Sequence, residues 1–199
     1  MAARAPLRLR SICVYCGSSN RAPRHHLDAA FDFGRELAKA GVGLVFGGGR
    51  VGLMGRIADG ALSAGGKVTG VIPEHLIRAE VGHARVTHLV VTKSMHQRKA
   101  AMFRRADAFV ILPGGPGTLD EFFEIVTWRQ LRLHDKPIVI VDLDGYWRPL
   151  VTLIERIIRQ GYARAGFRRL FGVVSSIDAV LPALHRAHRP RIAPRAKRF

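Results

Sequence analysis

The chain alternates short apolar segments with helical patterns, and this alternation restricts the fold more than any other feature. The segments predicted as strands are residues 9–15, 42–46, 67–72, 86–91, 109–112 and 137–141. Helical patterns are predicted over residues 26–40, after the glycine-rich segment 47–55 to about residue 64, over 121–131 and over 150–160. Strands that alternate with helices pair in parallel and carry helices on both faces. The sequence therefore predicts an α/β fold with a doubly wound, mostly parallel sheet.

The length of the chain suits one well-cored domain. It has 199 residues, 48% of them hydrophobic, and no obvious linker divides it. We expect a basic N-terminal segment over 1–10, a single nucleotide-binding domain over 11–181 and a basic, flexible tail over 182–199. No apolar run approaches the roughly 20 residues that span a bilayer. We therefore expect a cytoplasmic protein without a membrane partner.

The formal charge of +17 is concentrated at the ends of the chain. The segment 182–199 has six Arg and Lys residues and no acidic residue. Such tails can bind nucleic acid weakly through its phosphates, but no recognition motif accompanies this one, so no specific nucleic-acid partner is expected. The rest of the chain, without its two ends, is also basic, and this charge suits an anionic small substrate at least as well as it suits nucleic acid.

Two cysteines, Cys13 and Cys16, form a C-x-x-C pair. They supply only half of a structural zinc site, and in a strand this spacing sends their side chains to opposite faces. A redox pair is the alternative to buried, reduced cysteines, which we favour. No metal site is predicted, because five histidines lack ligand spacing and fit surface or helix-end positions: His25, His26, His83, His88 and His134.

Four conspicuous loops follow predicted strands. They contain Gly17-Ser18-Ser19, Gly47-Gly48-Gly49, Ser94-Met95-His96-Gln97-Arg98-Lys99 and Gly114-Gly115. In doubly wound sheets, ligands bind beyond the carboxyl ends of the strands, where the strand order reverses. With the common order 3-2-1-4-5-6, the reversal lies between strands one and four and all four loops converge. Ser18, Gly48 and Met95 are therefore candidate ligand-binding residues.

The loop from Pro113 to Glu121 reads Pro-Gly-Gly-Pro-Gly-Thr-Leu-Asp-Glu and leads from a strand into a helix. Its backbone N–H groups and the dipole of the helix favour an anion such as phosphate. The carboxylate of Glu121 and the guanidinium of Arg98 accompany this site. Together they indicate chemistry on a phosphorylated ligand.

Other interpretations of these motifs remain open. Gly47-x-Gly49-x-x-Gly52, with Glu74 further on, formally matches a dinucleotide fingerprint, although it follows the second strand rather than the first. Thr118 and Glu121 also fit a capping box, with Thr at N-cap and Glu at N3.

Two further helical patterns can be read in two ways. Arg98 and Lys99 also fit an exposed pair on an amphipathic helix. Glu121, Glu124, Thr127 and Trp128 share one helical face, which we interpret as a pocket wall rather than as solvated surface.

Three ordered motifs resemble those of the lonely guy (LOG) family, whose older label is lysine decarboxylase-like. The motifs are Gly47-Gly48-Gly49-x-x-Gly52-Leu53-Met54-Gly55, Met95-His96-x-Arg98-Lys99 and Pro113-Gly114-Gly115-x-Gly117-Thr118-x-x-Glu121. The resemblance extends over about 11–180 and includes Cys16-Gly17-Ser18-Ser19. Pro116 replaces the usual aromatic residue, and Asp120 replaces the commoner Glu.

The resemblance implies a Rossmann-like homodimer that hydrolyses the N-glycosidic bond of N6-substituted adenosine 5′-monophosphates, the cytokinin riboside monophosphates. Arg98 and Glu121 would be catalytic. The implied ligand contacts are Glu80, Lys99, Thr127 and the backbone from Gly114 to Thr118, which includes Gly115, Pro116 and Gly117. Neither a cofactor nor a metal is implied.

Two other functions remain open on this fold. One is a general nucleoside 5′-monophosphate nucleosidase, and the other is a non-catalytic nucleotide or cofactor carrier. Carriers generally lack the paired Arg98 and Glu121. In the hydrolase, Glu121 would stabilise positive charge on the sugar. Arg98 is a poor acid, so it would hold phosphate, orient Glu121 or hydrogen-bond the leaving purine.

Overall fold

The structure, a computed structural model, describes residues 9–80 and 82–187. Its seven strands are β1 (Ser11–Tyr15), β2 (Gly43–Phe46), β3 (Val68–Pro73), β4 (His88–Thr92), β5 (Ala108–Ile111), β6 (Ile138–Val141) and β7 (Gly172–Val174). The α-helices are α1 (Arg24–Lys39), α2 (Gly52–Ser63), α3 (Glu74–Glu80), α4 (Met95–Arg105), α5 (Pro116–Gln130), α6 (Arg148–Arg159) and α7 (Val180–Arg186). Two 3₁₀ segments cover Leu143–Gly145 and Ala165–Leu170.

All seven strands pair in parallel in the order β4-β3-β2-β1-β5-β6-β7. The predicted doubly wound α/β sheet is confirmed, but the predicted strand order is wrong. After β3 the chain forms only the short helix α3 and returns to pair β4 outside β3. The order therefore reverses between β1 and β5, so the loops after these two strands flank the crevice.

The sheet is buried between two helical layers because its strands are apolar on both faces. In β1, Ile12 and Val14 face α1, α2 and α7, whereas Cys13 and Tyr15 face α4, α5 and α6. Each fully buried large apolar side chain stabilises the fold by about 1.5–3 kcal/mol. This two-sided core fixes the strand ends that carry the site.

Helix α5 begins at Pro116, five residues before the predicted start. Proline fits the first helical position because its missing N–H is unneeded there. Gly115 is the N-cap, with no side-chain cap, so Thr118 is the third helical residue. The capping-box interpretation is therefore wrong, and Glu121 lies in the second turn, where the helix dipole acts weakly.

The C-terminal part of the fold departs from the predicted pattern in two places. The three-residue edge strand β7 was missed, because it is too short to show a hydrophobic period. Helix α7 runs across residue 182, where the tail was predicted to begin, and buries Leu184 completely. Residues 1–8 and 188–199 lie outside the described part, so the domain division stays a prediction.

Several polar side chains are more buried than the sequence suggested. His26, His83 and His134 are buried, so the surface positions allowed for them are wrong, although His26 does lie at a helix end, in the first turn of α1. His134 is accommodated because its Nε2 lies 2.8 Å from the Ile125 carbonyl oxygen and its Nδ1 accepts from the Lys136 N–H. Cys13 and Cys16 are buried free thiols, one on each side of the sheet.

Within residues 9–80 and 82–187, every helix is too short or too polar to cross a membrane.

Candidate functional site

A cavity of about 210 Å³ lies at the carboxyl ends of β1 and β5, where the strand order reverses. Seven of the residues predicted from the sequence line it: Ser18, Met95, Arg98, Gly115, Gly117, Thr118 and Glu121. They come from the β1 loop, from α4 and from the start of α5. The structure thus brings the loops after β1 and β5 together with helix α4, which follows β4.

Other predicted residues lie outside this cavity. Gly48, Lys99, Glu124 and Thr127 do not line it, and Gly114 lines a neighbouring cavity. Glu80 ends α3, but its side chain lies outside the described part of the structure.

The Arg98 guanidinium is held in the cavity wall by two backbone carbonyls. Its Nε donates to Val71 O and its Nη2 donates to Gly47 O, both at 3.1 Å. These acceptors lie in β3 and directly after β2, and only 6% of Arg98 is exposed. The alternative of an exposed Arg98–Lys99 pair is wrong for Arg98. The orientation of Arg98 is therefore fixed by β3 and by the residue after β2, which lie on one side of β1, whereas β5 lies on the other.

Gly47 provides the space that Arg98 occupies. A Cβ atom on Gly47 would clash with Arg98 Nη2 and would lie 2.8 Å from Met54 Sδ. The glycine after β2 therefore accommodates the guanidinium.

Glu121 enters the same cavity from α5 and is 9% exposed. Burial raises the pKa of the Cys16 thiol; the charge of Glu121 raises it further and the charge of Arg98 lowers it. Both charges therefore act on the buried thiol of Cys16, a residue that also lines the cavity. The site combines a cation and an anion in a region of low dielectric, where electrostatic interactions are strong.

The loops after β1 and β5 pack backbone against backbone. The Gly17 N–H donates to Pro113 O at 3.0 Å, and a Cβ on Gly114 would lie 2.9 Å from Gly17 N. Gly114 leaves room for Thr118, whose buried hydroxyl lies where that Cβ would be. This packing fixes the start of α5, whose first backbone N–H groups suit an anion.

The glycines of the dinucleotide-like motif contact the protein's own chain. Gly52 has a φ of +61°, and its N–H donates to Asn20 Oδ1 at 2.8 Å. A Cβ there would lie 2.6 Å from the carbonyl carbon of Ser18. The motif thus packs the loops after β1 and β2 together.

Lys99 connects α4 to α5 beside the cavity. Its Nζ lies 3.0 Å from Glu124 Oε1 and 3.2 Å from Asp120 Oδ2. Burial lowers the pKa of Lys99, but the hydrogen bonds and charges of Glu124 and Asp120 outweigh it and leave the pKa raised. Lys99 and Glu124 therefore form an inter-helix pair, not part of the cavity wall.

The sequence predicted no ligand contact for several lining residues: Tyr15, Cys16, Gly47, Met54 and Asp120. All lie in or beside the recognised motifs, but nothing in the local sequence shows that they face the cavity. Gly47 belongs to the wall because Arg98, 51 positions further along the chain, packs against it, and Met54 Sδ lies beside the same glycine.

The fold and the cavity define a doubly wound α/β protein with a switch-point ligand site that carries a buried arginine and a buried glutamate. A family model described as "Possible lysine decarboxylase" matches residues 54–184. The chain is 42% identical over 163 residues to the cytokinin riboside 5′-monophosphate phosphoribohydrolase LOG of Oryza sativa subsp. japonica, covering 82% of this chain and 67% of that protein. It is 40% identical over 164 residues to LOG5 of Arabidopsis thaliana, which bears the same enzyme name, covering 82% of this chain and 72% of that protein.

These matches show the family: the chain belongs to the LOG family of cytokinin riboside 5′-monophosphate phosphoribohydrolases. Solved structures of lower identity share the fold alone. The molybdenum cofactor carrier protein of Chlamydomonas reinhardtii aligns with a TM-score of 0.68 at 21% identity, covering 90% of this chain and 98% of that one. The molybdenum cofactor binding protein of Rippkaea orientalis aligns with a TM-score of 0.67, also at 21% identity, covering 88% of this chain and 95% of that one.

Proposed function

We propose that this protein hydrolyses the N-glycosidic bond of cytokinin riboside 5′-monophosphates, giving the free base and ribose 5-phosphate. The relatives that carry this enzyme name are about 40% identical over most of the chain. The observation that carries the proposal is the meeting of Arg98 and Glu121 in one cavity. Both are at least nine-tenths buried, although they come from different helices.

The substrate phosphate binds at the start of α5. Gly115, Gly117 and Thr118 line the cavity there, and the helix N-terminus favours negative charge. Arg98 is fixed on the β2–β3 side of the cavity, away from β5. A nucleotide with its phosphate at α5 therefore extends its base toward Arg98 and Met95, with its ribose near Glu121.

Glu121 acts on the sugar. Cleavage leaves the C1′–N bonding pair on the departing base, so positive charge develops on the ribose. An ionised Glu121 stabilises that charge and orients the attacking water. The hydroxyl of the water is added to C1′, and its proton passes to the base or to solvent.

Arg98 acts on the leaving group without giving up its proton. Guanidinium groups are not deprotonated in proteins, so Arg98 donates hydrogen bonds and does not serve as a general acid. Two of its N–H groups already hold the carbonyls of Val71 and Gly47, which fixes its plane. An arginine fixed in this way stabilises negative charge on the purine as the bond breaks.

We also propose that the protein is a cytoplasmic homodimer. The buried free thiols Cys13 and Cys16 suit a reducing compartment. Leu131 and Leu133, directly after α5, expose 62% and 61% of their surface, which suits burial against a second copy. Light scattering during gel filtration tests the dimer; a monomer mass at micromolar concentration would refute it.

A release assay tests the activity. The protein is incubated separately with isopentenyladenosine 5′-monophosphate, with AMP and with the unphosphorylated riboside, and free base is measured. Release from the first alone supports the proposal. Equal use of AMP would indicate a general nucleosidase, and no release from any of them would indicate a carrier.

A further inference from the structure

Two histidines at the start of α1 meet an aspartate from the turn after β6, outside the catalytic cavity. His25 and His26 are the second and third residues of α1, and Asp144 lies in the 3₁₀ segment Leu143–Gly145. One ligand atom from each residue lies within 4.8 Å of the others. Their separation of more than 115 positions explains why the sequence showed no metal-ligand spacing.

We propose that His25, His26 and Asp144 bind a divalent transition metal of the zinc class. Imidazole nitrogens and a carboxylate oxygen are ligands that Zn²⁺ takes at about 2.0–2.2 Å, in tetrahedral geometry. Tetrahedral ligands at that bond length are about 3.4 Å apart. The site is independent of the proposed hydrolysis.

The distances between the three groups are close to this requirement. His26 Nε2 lies 3.5 Å from Asp144 Oδ2, near the tetrahedral separation. His25 Nε2 lies 2.6 Å from the same oxygen, so this pair must open by roughly 0.8 Å to admit a metal. The side chains of His25 and Asp144 are 64% and 69% exposed, so solvent rather than packed protein surrounds most of both.

His26 provides a separate indication of a ligand. It is only 4% exposed, and neither ring nitrogen makes a hydrogen bond within the described structure. Burial of an imidazole without hydrogen bonds is unfavourable; the Asp144 oxygen lies 3.5 Å from Nε2, and a metal between the two would satisfy this nitrogen.

The third ligand is presented by a turn that is anchored on both sides. Asp144 has a φ of +53°, and the Trp147 N–H donates to Asp142 Oδ1 at 2.6 Å. The Tyr146 hydroxyl donates to Gly114 O at 2.7 Å. His26 and Tyr146 also line the neighbouring cavity of about 370 Å³. The metal would therefore join α1 to the turn that contacts the loop after β5.

Cobalt binding tests the site, because four-coordinate Co²⁺ with nitrogen and oxygen ligands absorbs visible light more strongly than hydrated Co²⁺. The untagged, full-length protein is treated with a chelator, dialysed and titrated with Co²⁺. We expect one equivalent bound with four-coordinate absorption, which Zn²⁺ then displaces. His25→Ala and Asp144→Asn change exposed side chains, and each should weaken binding at least about tenfold. His88→Ala, at an exposed histidine on β4, is the matched control and should bind as the wild type does.

Thermal unfolding with added Zn²⁺ gives a second readout, because a ligand that binds only the folded state raises the Tm. The Tm should rise in the wild type and in His88→Ala, but not in His25→Ala or Asp144→Asn. Two results would overturn the proposal. One is that the wild type shows only the spectrum of hydrated Co²⁺. The other is that both ligand variants bind Co²⁺ as tightly as the wild type.

Discussion

Arg98 and Gly47 are joined by a buried hydrogen bond of 3.1 Å that spans 51 positions of the sequence. The bond connects the start of α4 to the end of β2 and fixes the guanidinium against the sheet. Gly47 has a double role, because its carbonyl accepts the bond and its missing side chain leaves space for Nη2. The orientation of Arg98 therefore depends on a residue that carries no reactive group.

Gly47→Ala should reduce activity much more than stability. The new methyl group would displace the end of the flexible Arg98 side chain, at an overpacking penalty of about 1–3 kcal/mol in the free energy of unfolding. A misplacement of about 1 Å in an active site can lower kcat about 100-fold. Steady-state base release and urea unfolding measure the two effects. Gly172→Ala is the matched control, since its Cβ would lie 3.6 Å from the nearest atom. Unchanged kcat in Gly47→Ala would show that the position of Arg98 does not matter.

Arg98→Ala should lower kcat without weakening the binding of ribose 5-phosphate. Arg98 lies on the β2–β3 side of the cavity, whereas the phosphate is assigned to the start of α5. Product inhibition by ribose 5-phosphate therefore measures the contact between Arg98 and phosphate. An unchanged inhibition constant agrees with a role at the base. A rise of about tenfold or more, the loss expected for a charged hydrogen bond, would place Arg98 on the phosphate.

Lys99→Met should destabilise the fold by about 1 kcal/mol at neutral pH, because the pair with Glu124 joins two helices and only 12% of the Lys99 side chain is exposed. The pKa of Lys99 is raised in the folded state, so its stabilising effect is complete below the ordinary value of 10.5 and is lost as the pH rises through the folded pKa. The difference between wild type and variant in urea unfolding should therefore shrink at strongly alkaline pH. Lys39→Met, which removes an exposed surface pair with Glu36, is the control and should change stability by only a few tenths of a kcal/mol. A stability difference between wild type and Lys99→Met that grows as the pH rises would contradict the raised pKa of Lys99.

Acid should destabilise the fold in part through His134. Burial is the largest influence on the pKa of His134 and lowers it, so the unfolded chain takes up a proton before the folded chain does. The stabilisation is complete above the ordinary value of 6.5 and falls as the pH drops below it, by up to about 1.4 kcal/mol per pH unit for one proton. His134→Gln should flatten the pH dependence of unfolding between about pH 6.5 and 5. Some slope should persist, because the pKa of His26 is also lowered. If the free energy of unfolding had the same pH dependence in wild type and variant, His134 would not contribute to the acid sensitivity of the fold.

The sequence predicted the layers of the fold because apolar strands and helical periods are local features. The position of β4 was not predictable in this way, since pairing with β3 depends on the direction that the chain takes after the short helix α3. The start of α5 was missed because Pro116 and Gly117 resemble a loop, although proline is favoured at the first helical position.

The site could be predicted in part from motifs. Their residues identified the β5 loop, Arg98 and Glu121, but the spacing within one motif does not show which side chains face the cavity. Lys99 lies next to Arg98 in the sequence, yet it pairs with Glu124 outside the cavity. Gly47 and His26 acquire their roles only through partners about 50 and 118 residues away, and no local pattern records such contacts.

The turnover of Glu121→Gln tests the central claim most directly. This substitution keeps the size of the side chain and removes its negative charge, so binding of isopentenyladenosine 5′-monophosphate should change little while stabilisation of the developing sugar cation is lost. We expect kcat to fall at least about 100-fold, in the range seen when one electrostatic contact to a transition state is removed. Glu155→Gln, at an exposed position of α6, serves as the matched control and should keep wild-type kcat. A folded Glu121→Gln protein that releases the base at a near-normal rate would contradict the account.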